Sequence, residues 1–479
     1  MRTLELMPLC ADPLLFWASL IAAAAFGCGS GGQSFDDGSG DLGRGRRSHV
    51  DAAERADLSS TLISAPSMQG PSFDASSGFI GDLDGDGYAD FALLAAVATG
   101  PDWDPDDQRA YIFYGREQLP SQLDPAEADF VIAGVQGELT QIGDFNGDGF
   151  DDFGFKGEGW LGTRYRFDLL LGGAERRSGT LSARTLETSF GGGPLQDVSS
   201  AAGPGDVNGD GYADLLLNSE LILGRPEPYG QTSIVGAGVR AASFEASGER
   251  GPRTGDLDGD GYADLLLDYR DPDSLHLTTR LYYGRPDWGS ALESTAPDAV
   301  FPGRVRSVGD WDGDGYGDLA RVQNVPTWSD AEQSQLVALR HDVSVIYGAV
   351  ERFAGAVALA PETEPQLQPD ELALGDLNGD SRPDLIVGAP DSPREQLRGA
   401  GAVFVVAHTG ASRLDEIRLD ERDAALQGQI HDQGIGDLLG RGISSGGDVN
   451  GDGYADLLVV QQPWRDSVGA RLILGGQGL

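Results

Sequence analysis

Seven short stretches of this 479-residue chain share one pattern, Gly-Asp-x-(Asp/Asn)-Gly-Asp-(Gly/Ser)-x-x-Asp. With the first Asp as position 1, oxygen-bearing side chains stand at positions 1, 3, 5 and 9. The first copy carries Asp82, Asp84, Asp86 and Asp90, and the second Asp144, Asn146, Asp148 and Asp152. The third carries Asp206, Asn208, Asp210 and Asp214, and the fourth Asp256, Asp258, Asp260 and Asp264. The fifth carries Asp310, Asp312, Asp314 and Asp318. The sixth carries Asp376, Asn378, Asp380 and Asp384, and the seventh Asp448, Asn450, Asp452 and Asp456. Position 7 adds a backbone carbonyl, from Tyr88, Phe150, Tyr212, Tyr262, Tyr316, Arg382 and Tyr454 in turn. Alternate side chains of a tight loop converge on one point, and a bidentate carboxylate at position 9 brings the set to about six or seven oxygens. That is the shell of Ca²⁺, whereas Mg²⁺ insists on octahedral geometry and keeps its waters. Up to seven Ca²⁺ are expected, because three or four like charges within nine residues repel unless a cation joins them.

The copies are not equal. Asn at position 3 removes one charge from four of them. Ser381 stands where the other six have glycine at position 6. A non-glycine residue forced into the left-handed region costs roughly 1–2 kcal/mol, so the Asp376 loop is expected to be the weakest or to relax its turn. An EF-hand is excluded: it needs an acid at position 12, and that position holds Leu93, Phe155, Leu217, Leu267, Arg321, Val387 and Val459.

After each loop comes a short apolar run, such as Leu215-Leu216-Leu217, which reads as a buried strand. A second apolar strand then ends in glycine, as in Tyr111-Ile112-Phe113-Tyr114-Gly115 and Leu281-Tyr282-Tyr283-Gly284. A further strand comes next, such as Asp129-Phe130-Val131-Ile132. Loop intervals of 62, 62, 50, 54, 66 and 72 residues, with four strands per interval, are the signature of propeller blades. The expected fold is all-β: a seven-bladed β-propeller with four-stranded blades over residues 57–479. The seventh unit lacks an outer strand, and residues 59–65 have no other partner, so this N-terminal strand is expected to close the ring.

The pattern resembles the FG-GAP repeats of integrin α-subunit propellers and their bacterial relatives. The resemblance rests on the seven Asp loops, on Val387-Gly388-Ala389-Pro390 after the sixth, and on Leu439-Gly440 ahead of the seventh. Most copies lack the Phe-Gly and Gly-Ala-Pro elements. The resemblance implies that each metal loop joins strands 1 and 2 of a blade on one rim of the disc. It also implies extracellular adhesion or protein recognition.

Composition limits the partners. Against 76 Asp plus Glu there are 34 Lys plus Arg, for a net charge of −42, which excludes phosphate-tracking nucleic-acid binding. The two cysteines, Cys10 and Cys28, leave no disulfide framework downstream. Leu14 to Gly27 is an apolar run too short to span a bilayer as a helix and fits a signal h-region. Ala25-Phe26-Gly27-Cys28 resembles a lipobox, which implies residues 1–27 as signal, lipidation at Cys28 and a bacterial cell-envelope location; secretion is the alternative. Residues 28–56 read as a flexible Gly/Ser/Asp tether.

Because propeller strands alternate direction, the 2–3 connections face the rim opposite the metal loops. Trp103, Trp160, Tyr269, Trp328 and Trp464 are expected there, either as a rim for a protein or glycan or packing their own loops. Trp288 and Trp311 are expected to be structural. Nothing marks an acid–base pair among the scattered histidines, so the chain reads as a monomeric binding module, not an enzyme. The alternatives are a calcium-dependent polysaccharide lyase or hydrolase on the same scaffold, and a structural envelope module.

Overall fold

The computed structural model describes residues 60–63, 73–96, 108–158, 165–191, 197–233, 242–243, 255–271, 276–288, 296–328, 336–356, 371–391, 400–407, 416–419, 426–427, 438–460 and 469–477, apart from single positions within them. The expected signal, tether and Cys28 lie outside these residues, as do Trp103, Trp160 and Trp464.

The described residues are all-β and β-propeller-like, with no α-helix, and their strands form seven sheets. In the first, Gly78–Gly81 leads into the acidic loop and Asp90–Ala96 leaves it; Gln108–Phe113 and Phe130–Ala133 lie successively outward, each antiparallel to the last. The acidic loop therefore joins strands 1 and 2. The strand after it is buried on both faces, as in Phe91-Ala92-Leu93 and Leu215-Leu216-Leu217. This is why those runs are continuous and do not alternate.

Apolar clusters between neighbouring sheets hold the fold together. Ile80, Ala92, Ile112 and Phe130 of the first sheet meet Phe153, Phe155 and Leu170 of the second. Similar clusters join each later sheet to the next in chain order. The cluster of Phe79, Phe91, Leu93 and Phe113 with Leu458, Val460 and Leu472 joins the first sheet to the seventh. First strands of six sheets, through residues such as Gly78, Thr140, Gly203, Ser307, Ala373 and Ser444, line a cavity of ≈ 470 Å³.

The expected terminal strand is present. Ser60–Ile63 runs antiparallel to Ala470–Ile473, with Ser60 opposite Ile473 and Ile63 opposite Ala470.

Four-stranded blades need correction. Three sheets have five strands. The added strand comes from the 3–4 connection of the next repeat and runs parallel to the outer edge: Gly179–Ser182 beside Phe130–Ala133, Gln231–Ser233 beside Thr188–Gly191, and Gln122–Leu123 beside the terminal strand. Gly355–Ala356 does the same beside Ala299–Pro302. In the fifth sheet, Glu416–Leu419 of the sixth repeat pairs directly with the long strand Leu336–Ile346. An outer strand exposes a row of unpaired N–H and C=O groups, and the neighbour's connection covers it. These segments are two to four residues long and were hidden within connections whose composition carries no strand signal.

Candidate metal centres

Each acidic loop is wound around the carboxylate at position 1. In the first loop Asp82 Oδ1 accepts from the N–H of Gly85 at 2.7 Å and of Asp86 at 3.2 Å, and Oδ2 from Gly87 at 2.9 Å. All seven loops repeat this; in the sixth, Ser381 N–H donates to Asp376 Oδ2 at 2.7 Å. Ser381 keeps this bond at φ 67°, so its turn is strained and not relaxed. Position 5 accepts from the N–H of position 7, as Asp86 does from Tyr88 at 3.0 Å. Side-chain oxygens of Asp82, Asp84 and Asp86 lie within 4.8 Å of each other, as do those of Asp256, Asp258 and Asp260, and those of Asp310, Asp312 and Asp318. A hard cation with oxygen ligands fits such a set.

Position 9 differs in kind. Asp90, Asp152, Asp214, Asp264, Asp318, Asp384 and Asp456 are all fully buried. Asp90 Oδ2 accepts from the Leu83 N–H and Oδ1 from the Gly115 N–H, both at 2.8 Å. Asp152, Asp214, Asp264, Asp318 and Asp456 make the same pair of bonds, from position 2 and from the glycine after strand 3. The ninth residue thus staples strands 2 and 3 to the loop, a role that spacing does not reveal. The second lone pair on each oxygen leaves room for a cation. Burial pushes Asp90 up to about 8; Asp152, Asp214, Asp264 and Asp456 to about 7; and Asp318 to about 6. The two N–H bonds pull the other way.

The loops also hold each other. The position-8 N–H of one loop donates to the position-1 carbonyl of the loop before it: Asp151 to Asp82, Ala213 to Asp144, Ala263 to Asp206 and Ala455 to Asp376, at 2.8–3.0 Å. Gly317 instead reaches Leu257, and Pro383 has no N–H to give. Ala89 donates to Asp448 at 2.9 Å, returning the series from the seventh loop to the first. The position-7 side chain lies over the position-4 glycine of the preceding loop. A Cβ on Gly85 would stand 2.7 Å from the Phe150 ring, and one on Gly451 2.5 Å from the Tyr88 ring. These glycines are therefore required twice, by positive φ and by the neighbour's ring. The sequence offered position 7 only as a carbonyl; its aromatic character was the signal for this second role.

A family model described as FG-GAP repeat matches residues 369–406 and 439–470, the segments around the sixth and seventh loops. These two segments of the chain are thus similar to FG-GAP repeats. Over 106 residues it is 31% identical to integrin alpha-4 of Xenopus laevis, covering 22% of this chain and 9% of that relative's length. The motif residues of these repeats meet in space: a Cβ on Gly388 would stand 2.4 Å from the Gly440 carbonyl oxygen, and one on Gly401 2.2 Å from the Leu439 nitrogen. The close backbone approach of the sixth and seventh repeats accounts for the glycines there.

The aromatic rim is only partly within the described residues. Tyr269 and Trp328 are not in loops, as expected, but in strands, Leu265–Arg270 and Leu319–Trp328. The strand-2 and strand-3 hairpins extend further than their apolar runs predict, since Tyr269 pairs with Thr278 and Trp328 with Leu336. The Arg280 guanidinium stacks on the Tyr269 ring at 3.5 Å, so that face of Tyr269 is covered. Trp288 and Trp311 are buried as expected, and the Trp288 indole N–H donates to the Val207 carbonyl at 3.3 Å.

Two cationic residues at the loops escaped sequence reasoning. Arg176 bridges Asp84 and Asp86 of the first loop. Arg352 bridges Asp258 at 2.5 Å and Asp260 at 2.7 Å in the fourth. Both come from the connection after strand 3 of the following repeat, where nothing in the local sequence marks them.

Proposed function

We propose that this FG-GAP protein is a calcium-stabilised, seven-bladed propeller, closed by its N-terminal strand, that serves outside the cytoplasm as an adhesion or recognition module and has no enzymatic activity of its own. The observation that carries the reading is the loop belt. Seven acidic loops of one geometry follow one another, backbone hydrogen bonds join them at every junction but the one at Pro383, and the first loop donates to the seventh. A cation in any loop would be held by the carboxylates at positions 1, 3 and 5, the carbonyl at 7 and the buried carboxylate at 9, with Asn146, Asn208, Asn378 and Asn450 as neutral ligands. Bound calcium supplies charge neutralisation there and nothing reactive. Each ion would therefore brace two blades, its own and the one whose loop it leans on.

The partner is an extracellular protein or glycan, bound by one propeller acting as a monomer. Adhesion is inferred from the likeness to an integrin α-chain, of which this chain covers a small part. Residues 57–479 form the propeller, 28–56 a tether, and 1–27 a signal whose removal leaves lipidated Cys28 as the mature N-terminus that anchors the protein at the bacterial cell envelope. Among the described residues no helix is long and apolar enough to cross a membrane; a lipid on Cys28 would hold the protein at a membrane surface without spanning it. Three measurements test these statements. Equilibrium dialysis against ⁴⁵Ca²⁺ should give up to seven bound ions per chain. Metabolic palmitate labelling should be lost in C28A. A glycan array together with a surface pull-down should return a ligand whose binding weakens in chelator; a chain that binds no calcium sinks the reading.

A further inference from the structure

We propose that Arg176 and Arg352 are internal cations that occupy the first and fourth loops in place of calcium and are displaced when the ion binds. The inference rests on the calcium reading above and concerns residues that the loop motif does not contain. Each guanidinium spans the position-3 and position-5 carboxylates of the preceding repeat's loop, so it uses oxygens that a bound ion would need. Each is also seated on a tyrosine of that preceding repeat. Arg176 lies 4.9 Å from the Tyr114 ring centre and Arg352 4.8 Å from that of Tyr283. Two repeats far apart in the chain thus build the same cradle, an aromatic face below and two carboxylates in front.

The sequence places this cradle selectively. A tyrosine directly after strand 3 occurs in the first, fourth and fifth repeats, as Tyr114, Tyr283 and Tyr347. These are the three repeats with Asp at position 3. Where position 3 is Asn, the matching residue is Leu171, Leu223, Ala407 or Leu474. Over the fifth loop stands Arg382, from position 7 of the sixth loop, with its guanidinium carbon 3.5 Å from where a Cβ on Gly313 would be. The Asn loops need no guanidinium. In three of them the Asn amide donates to the position-5 carboxylate, Asn146 to Asp148, Asn208 to Asp210 and Asn450 to Asp452, each at 2.9 Å. In the sixth, Asn378 donates to Asp384 at 3.1 Å. The four Asn loops are thus held by an amide from within, and the first and fourth by an arginine from the next repeat.

Guanidinium and ion cannot share these oxygens without strong like-charge repulsion. The extra carboxylate of the first and fourth loops is thus offset by the cost of displacing arginine. These two sites fill at higher calcium than their charge implies, and filling them frees an arginine in the next repeat's 3–4 connection. The test is calorimetric titration of the full-length protein with Ca²⁺, wild type against R176Q/R352Q, with melting of both in EGTA. The expected result is two sites tightened by roughly 5- to 150-fold, the usual span of coupled binding events, together with a lower melting temperature in EGTA only. If the Gln variant does not fold, R176K/R352K is titrated instead; a point charge without the planar fork should give smaller tightening in the same direction. Unchanged or weakened calcium sites in these variants overturn the proposal while leaving the calcium reading intact. A wild-type protein that binds no calcium overturns both.

Discussion

The ninth-position aspartates give the sharpest prediction, because their role can be tested with no metal present. In Asp90→Ala the N–H groups of Leu83 and Gly115 lose the carboxylate that accepts both of them. A buried donor left without a partner costs about 1–3 kcal/mol, so two of them predict a loss of about 2–6 kcal/mol. Asp90→Asn keeps one acceptor oxygen and turns the other into an NH₂ that opposes an N–H, so it should lose at least one donor's share. Asp86→Ala is the control: its carboxylate accepts from the Tyr88 N–H in an exposed loop, where water replaces it, and pairs with the half-exposed Arg176, so the change expected is only that of an exposed ion pair, about 1 kcal/mol or less. The assay is urea denaturation in EGTA at pH 8, monitored by tryptophan fluorescence. EGTA keeps loss of a metal ligand out of the comparison. If D90A and D86A unfold at the same urea concentration, the staple has no energetic weight and the reading of position 9 is wrong.

The same geometry predicts three further outcomes. The raised folded-state values of Asp90, Asp152, Asp214, Asp264, Asp318 and Asp456 mean that the folded chain holds these protons more tightly than the unfolded chain, whose carboxylates titrate near 3.8. Their contribution is complete below that value and lost as pH rises through about 6 to 8, so chelated protein should melt higher at pH 5.5 than at pH 8; a flat or opposite profile counts against it. Deleting residues 57–66 removes the strand paired with Ala470–Ile473, and at about 0.5–1.5 kcal/mol per hydrogen bond should cost a few kcal/mol; an unchanged melting temperature would falsify the latch. Ser381→Gly relieves a non-glycine residue at φ 67° and should stabilise by about 1 kcal/mol, whereas a loss of stability would show that the serine contributes more than its strain.

The loops were legible because one acidic pattern recurs at fixed spacing, and the buried strands because both faces of Leu215-Leu216-Leu217 must be apolar. The pairing of Ser60–Ile63 with Ala470–Ile473 was legible by counting strands. The parallel edge strands were not, since Gly179–Ser182 and Gln122–Leu123 pair through backbone groups and each brings a single leucine, Leu181 or Leu123, to the core, too little to mark a strand. The length of the Leu319–Trp328 hairpin was missed because its outward arm, Gln323 to Trp328, has no apolar run, and Leu336-Val337-Ala338-Leu339 opposite it was not read as the start of a strand. The double duty of Asp90 and its equivalents was invisible because a buried acceptor and a metal ligand ask for the same residue. Arg176 and Arg352 were invisible because they serve a loop some 90 residues earlier in the chain, and a single sequence carries no record of that distance.

Divalent ions in these loops are held here to bind neighbouring blades together. Differential scanning calorimetry of the full-length protein in EGTA and in rising Ca²⁺ tests this most directly. Each occupied site should stabilise by RT ln(1 + [Ca²⁺]/Kd), about 1.4 kcal/mol at tenfold excess, so the melting temperature should climb steadily with calcium and fall back when EGTA is restored. A transition that stays at one temperature in both, with no heat of calcium binding, would contradict it.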